Sequence, residues 1–290
     1  SSPVGVTFRV LDSWQGVTTF PLIGRPHMPT PVVFVHGLWL HSSSWEPWIE
    51  LFNKNGYAAS APGWPGDGAT VEETRANPDA VAGFGIDDIV DAYAKAIDGL
   101  GEKPIVIGHS FGGLIAQRLL GEGHAVAAVG IDAAPPKGVL YLPPSALRVA
   151  SIALRNPANR KRAVALSKEQ FRYGFGNAVS QEESDRLFDQ WSIPSPGRPL
   201  FEAATAALMP KSPAAIDRKN NDRGPLLLTA GGKDHTVPKA ITTQTRKLYH
   251  KSTAVTDLCE FPDKGHSLCI DGGWRDVADA CLDWLKKQGH

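Results

Sequence analysis

Short, almost wholly apolar runs alternate along this chain with longer stretches in which apolar positions recur every three to four residues. Val32-Val-Phe-Val35, Pro104-Ile-Val-Ile-Gly108, Ala125-Val-Ala-Ala-Val-Gly-Ile131 and Pro225-Leu-Leu-Leu-Thr-Ala230 are the runs. They suit strands covered on both faces, as in a parallel sheet. Helices are predicted over Trp45–Asn55, Ile86–Leu100, Gly113–Leu120, Lys239–Tyr249 and Trp274–Lys287. The second is the clearest, with apolar residues at 86, 89, 90, 93, 94 and 97 and Asp87 and Asp88 in its first turn. Ser42-Ser-Ser44 offers an N-cap for the first. Further strands are expected at Tyr57–Ser60 and Ala254–Phe261, with two edge strands at Val4–Leu11 and Val17–Phe20. Strand–helix alternation implies the α/β class: a mostly parallel central sheet, flanked by helices, with right-handed crossovers. Reactive groups then belong at the carboxyl ends of the strands.

The alternation stops between residues 137 and 224. That stretch holds helix-like pieces at Ser145–Leu154, Ala158–Leu166 and Gln181–Trp191, separated by prolines and rich in aromatic residues. It reads as a helical cap, 137–224, inserted into a core made of 1–136 and 225–290. Val71–Phe84 is expected to be a surface excursion.

A length of 290 residues fits one α/β domain carrying an insertion. Thirty basic residues balance thirty acidic ones, so no net field points to nucleic acid or an anionic membrane. The most basic patch, Asn159-Arg-Lys-Arg162, reads as a solvated helix face. No apolar run reaches transmembrane length. Cys259, Cys269 and Cys281 lack Cys-x-x-Cys spacing. They read as free thiols, with a Cys259–Cys269 bridge as the alternative. Ser1-Ser-Pro3 carries no apolar secretory core, so the compartment stays open, cytoplasmic being favoured over secreted. Oligomeric state is equally open.

Candidate chemistry follows the strands. Gly108-His-Ser-Phe-Gly112 lies between a predicted strand and a predicted helix, the context in which Gly-x-Ser-x-Gly exposes a nucleophilic serine. A serine hydroxyl needs a base, and His266 follows the last strand. The imidazole needs an acid to hold its tautomer, and Asp234 follows the preceding strand. Asp132 also follows a strand and is the alternative acid. An oxyanion needs two preorganised N–H groups, for which Leu38, after His36-Gly37, and Phe111 are the candidates. If His266 is the base, activity falls below about pH 6. His109 is expected to turn away as a structural residue, His36 to brace the oxyanion loop and His235 to line a loop. His41, His124, His250 and His290 default to the surface. No metal-ligand spacing and no dinucleotide or phosphate-loop fingerprint appears, so neither metal nor cofactor is expected.

With His36-Gly37, Gly108-His-Ser-Phe-Gly-Gly113, Gly232-Lys-Asp-His-Thr-Val-Pro238 and Gly265-His266 in this order, the chain resembles the α/β-hydrolase superfamily. The pattern is similar to serine esterases and to the cofactor-free haloperoxidase/perhydrolase group. A serine at the elbow disfavours the dehalogenase and epoxide hydrolase branches, which use aspartate. The loop Ala61–Gly68 departs from the family's Asp-x-x-Gly-x-Gly-x-Ser, since Ala61 replaces the acidic residue. The resemblance implies a serine hydrolase acting on a small carboxylic ester, lactone or thioester through an acyl-enzyme. C–C bond hydrolysis, perhydrolysis or a lyase reaction on the same triad are the alternatives, and a non-catalytic binding protein is a third. Trp39, Leu40 and Trp45 near the oxyanion loop, with Phe171 and Trp191 of the cap, are the expected substrate contacts and predict an apolar acyl group.

Overall fold

A computed structural model describes residues 29–290; the edge strands expected at Val4–Leu11 and Val17–Phe20 lie outside the described residues. In chain order the elements are β1 (Pro31–Val35), α1 (Glu46–Lys54), β2 (Ala58–Ser60), α2 (Val71–Ala76), α3 (Ile86–Asp98), β3 (Ile105–His109), α4 (Phe111–Gly121) and β4 (Ala127–Ile131). There follow α5 (Pro144–Leu154), β5 (Ala163–Val164), α6 (Lys168–Gly174), α7 (Gln181–Trp191), β6 (Ser195–Pro196) and α8 (Arg198–Ala204). The chain closes with β7 (Leu226–Gly231), α9 (Lys239–Leu248), β8 (Thr256–Phe261) and α10 (Trp274–Lys287).

Six strands form one parallel sheet in the order β2-β1-β3-β4-β7-β8. Side chains alternate between its faces at the strand period of two. Val33, Val35, Val106, Ala128, Leu226 and Leu228 join one apolar layer with α3 and α4. Val32, Phe34, Ile105, Ile107, Val129 and Leu227 join the other with α1 and α10. That second layer carries Trp45 and Trp48, both buried, with the Trp48 Nε1–H donating to the Cys269 carbonyl at 2.8 Å. Burying such a ring contributes about 2–3 kcal/mol. Cys259, Cys269 and Cys281 are free. Among the described residues no helix is long and apolar enough to cross a membrane.

Three local expectations change. Ser42–Trp45 form a 3-10 turn ahead of α1, capped by His41, whose Nδ1 accepts from the Ser43 N–H at 3.2 Å. His41 is thereby buried, not at the surface. The surface excursion carries α2, with Thr70 Oγ1 accepting from the Glu73 N–H at its start. Ala158–Leu166 does not form a helix. Pro157 opens a 3-10 turn over Pro157–Lys161, and the chain then pairs as β5 with β6, Ala163 opposite Pro196 and Val164 opposite Ser195.

Candidate active site

A single residue, Ser110, separates β3 from α4. Its backbone sits at φ 55° and ψ −120°, where a non-glycine residue costs about 1–3 kcal/mol. Neighbours hold it there. Its N–H donates to the Ile131 carbonyl at 2.9 Å, and its carbonyl accepts from the N–H groups of Ala134 and Gly113 at 2.8 and 2.9 Å. The turn is tight because Gly108 and Gly112 have no Cβ: one on Gly108 would collide with the Gly112 carbonyl, and one on Gly112 with the Val35 carbonyl. Ser110 Oγ, free of hydrogen bonds among the described residues, reaches the wall of a cavity above the sheet.

The loop after β8 carries His266 and the loop after β7 carries Asp234. His266 Nδ1–H donates to Asp234 Oδ2 at 2.6 Å, with both side chains fully buried. The other carboxylate oxygen, Oδ1, accepts from the N–H groups of Thr236 and Val237 at 2.7 and 2.8 Å. A carboxylate gripped by three donors cannot rotate away from the imidazole. Burial pushes His266 down to about 4, so the ring is neutral at pH 7 and able to take a proton. Burial also raises Asp234, to about 6, against the hydrogen bonds from the Val237 and Thr236 N–H groups that lower it. His266 Nε2 is buried with no hydrogen-bond partner among the described residues. His109, the residue before Ser110, holds its ring 4.5 Å from that of His266, tilted by 43°, and donates from Nε2 to the His266 carbonyl at 2.9 Å. It holds the His266 ring and its backbone in place. His235 Nδ1–H donates to the Tyr173 carbonyl.

The loop after β1 closes over Ser110. A Cβ on Gly37 would stand 2.8 Å from the Ser110 Cβ, so only glycine lets the loop approach this closely. The N–H groups of Leu38 and Phe111 have no hydrogen-bond partner among the described residues, and both residues line the cavity. Phe111 opens α4, whose N-terminal dipole favours negative charge at this spot. Below the loop, His36 donates from Nδ1 to the Gly37 carbonyl at 2.9 Å and stacks on Trp64. Asp67 accepts from the Trp64 N–H at 2.8 Å, which anchors the Ala61–Gly68 loop although Ala61 replaces the expected acid.

Trp39 carries a signal that no motif announces. Its φ is 66°, its N–H donates to Ser195 Oγ at 2.7 Å, and its Nε1–H donates to the Val164 carbonyl at 3.0 Å. Its carbonyl accepts from the Ile193 N–H, and the His41 N–H donates to the Trp191 carbonyl. Residues 191–195 thus clamp the peptide next to Leu38. Ser195→Ala is expected to lower kcat about tenfold with KM held, and Ser195→Thr to restore it, because loosening an oxyanion loop damages the transition state more than the ground state. Steady-state kinetics of both variants check this; a change confined to KM would contradict it.

The cavity, of about 240 Å³, is lined by Leu38, Trp39, Ser110 and Phe111 below and mainly by α5 and α8 above. Of its polar side chains, Thr236 is already engaged, donating from Oγ1 to the Gly174 carbonyl. Of the five expected substrate contacts only Trp39 lies on this wall. Leu40 is buried in the core and bridges to Ser192. Trp45 stacks on Phe34 in the opposite layer, and Phe171 stacks on Phe175 inside the cap. Trp191 packs against the core from its edge. Small residues of α5 and α8, Ala146, Ala150, Ala203 and Ala204, make the room instead. The spacing of Ala146, Ala150 and Leu154 along one helix face was the signal available for them.

The model of the Alpha/beta hydrolase family matches residues 32–280, and the chain belongs to that family. No curated protein sequence matches it. Among solved structures it is similar to the methylesterase MES16 from Arabidopsis, at 18% identity and TM-score 0.62 over 89% of this chain and 99% of that one. It is also similar to the monoacylglycerol lipase of Paleococcus ferrophilus, at 22% identity and TM-score 0.63 over 90% and 97%. An extracellular alpha/beta-hydrolase from a Paenibacillus species aligns at 18% identity and TM-score 0.64 over 88% and 98%.

Proposed function

We propose that this protein is a serine esterase that cleaves carboxylic esters of small apolar acids through an acyl-enzyme on Ser110. The observation that carries the reading is the combination of a strained Ser110, unbonded through its hydroxyl among the described residues and on the wall of an apolar cavity, with a buried His266–Asp234 pair at 2.6 Å. Ser110 Oγ attacks the ester carbonyl while His266 Nε2 takes its proton. The tetrahedral oxyanion is held by the N–H groups of Leu38 and Phe111. His266 then protonates the leaving alcohol, activates water and repeats the sequence in reverse, with Asp234 stabilising the transient imidazolium. An alkoxide leaving group needs one proton, which His266 supplies. That the described cavity wall carries no charged side chain favours neutral, apolar substrates, and so ester cleavage in which one general acid–base suffices. Esterase and lipase activity in the structural relatives agrees with this reading. The core (1–136 and 225–290) and the cap (137–224) divide the labour: chemistry below, acyl selection above.

A volume of about 240 Å³ is below that of drug-sized sites, so p-nitrophenyl ester turnover is expected to peak at acyl chains of about four to eight carbons. Ala150→Phe fills the cavity from α5 and shifts the optimum to acetate, with about a tenfold loss on the octanoate ester relative to the acetate. A chain-length profile unchanged by this substitution would place the acyl group elsewhere. Absence of turnover across the ester series would remove the esterase reading.

A further inference from the structure

One buried titratable group has no task in this mechanism. Asp132, the first residue beyond β4, is completely buried and held at φ 44°. Its Oδ1 accepts from Thr229 Oγ1 at 3.0 Å and its Oδ2 from the Gly231 N–H at 2.9 Å. A carboxylate oxygen of Asp132, one of Asp234 and a ring nitrogen of His266 all lie within 4.8 Å of one another. The other titratable groups facing this cluster are His109, from β3, and Cys269, from the segment after β8. Among the described residues no lysine or arginine pairs with either carboxylate; the only ion-pair partner is His266, on Asp234.

Two carboxylates this close, out of water and with a single neutral imidazole, do not both ionise. The donors decide which keeps the proton. Asp234 receives three N–H groups, from His266, Thr236 and Val237. Asp132 receives one N–H and one hydroxyl. The anion therefore settles on Asp234. Burial first, and then the Asp234 charge, push Asp132 well above the usual carboxylate range.

We propose that Asp132 is a positioning residue: a neutral acid that donates its proton to Asp234, fixes that carboxylate beneath His266, and becomes the anion when the charge of Asp234 is removed. The proposal rests on reading Ser110, His266 and Asp234 as the triad. In the intact enzyme one negative charge then serves the imidazolium. In Asp234→Asn the same charge appears on Asp132, still within 4.8 Å of the cluster.

The test is the rate at which a fluorophosphonate labels Ser110 in the wild-type protein, D132N, D234N and the double variant, followed by intact mass, with thermal unfolding of each. D234N is expected to slow labelling about 100-fold and the double variant about 10,000-fold, the second figure being the loss typical when the acid of a triad becomes an amide. The effect of D132N is thus at least tenfold larger in the D234N background than alone, where a merely structural role gives equal effects in both. The residual rate of D234N is also expected to climb with pH as Asp132 ionises, a profile readable even if the double variant does not fold. Equal labelling by D234N and the double variant, or a pH-independent D234N rate, overturns the proposal and leaves the triad standing. A wild-type protein that does not label at Ser110 overturns both.

Discussion

Ser110→Ala is expected to remove ester turnover almost entirely, by about a million-fold, while leaving the fold intact. The size follows from losing the nucleophile of a triad that works as a unit, where deleting one member costs about as much as deleting all. What survives is the rate supplied by the oxyanion donors and the cavity alone, about 1,000-fold over water. The fold should hold because Ser110 is kept by its backbone. The bonds to Ile131, Ala134 and Gly113 are main-chain bonds, and the Oγ makes none among the described residues. Circular dichroism and thermal unfolding of the variant, beside its kinetics, separate the two effects. Retained turnover would show that another group attacks.

His266→Ala is expected to cost about as much as losing the serine, again because the triad acts as a unit. In the wild-type protein the same residue is expected to set the acid limb of the pH profile. A base works only unprotonated, so activity is present above the pKa of the couple and is lost as pH falls through it. The reference imidazole value places that limb near about 6.5. Burial without water moves it down: His266 stands at about 4 and Asp234 at about 6, so the pair takes its first proton near the higher of these values and the imidazole itself is protonated only below it. The profile of kcat/KM is therefore expected to be level from pH 7 to 8 and to fall between pH 6 and 4. A limb centred at about pH 6.5 or above would mean a solvated imidazole rather than a buried one.

The parts of the molecule legible in the sequence are those whose physics is local. The run ending at Gly108 has to be a covered strand, and the glycines around Ser110 admit only a tight turn. Asp234 and His266 each follow a strand at its carboxyl end, so a parallel sheet brings them to one edge. Residues 137–224 behave differently. Their elements are short and are set by contacts far away in sequence. Ala163–Val164 becomes a strand because Ser195–Pro196 lies beside it, which no local pattern encodes. Aromaticity misleads for the same reason. Trp45 and Phe171 are large and apolar, but such side chains serve a core as readily as a binding site, and here they pack on Phe34 and Phe175. The cavity exists where side chains are small. Ser195 was invisible because a hydroxyl becomes a clamp only once Trp39 is brought to it across 156 residues of chain.

The central claim, a covalent acyl-enzyme on one serine, is tested most directly by mass spectrometry. The wild-type protein is mixed with a p-nitrophenyl ester of a medium-chain acid, quenched in acid within the burst, and digested. The acyl mass is predicted on the peptide that contains Ser110, and it should be absent from Ser110→Ala. Turnover with no adduct on that peptide, or an adduct on any other residue that survives Ser110→Ala, would contradict the account.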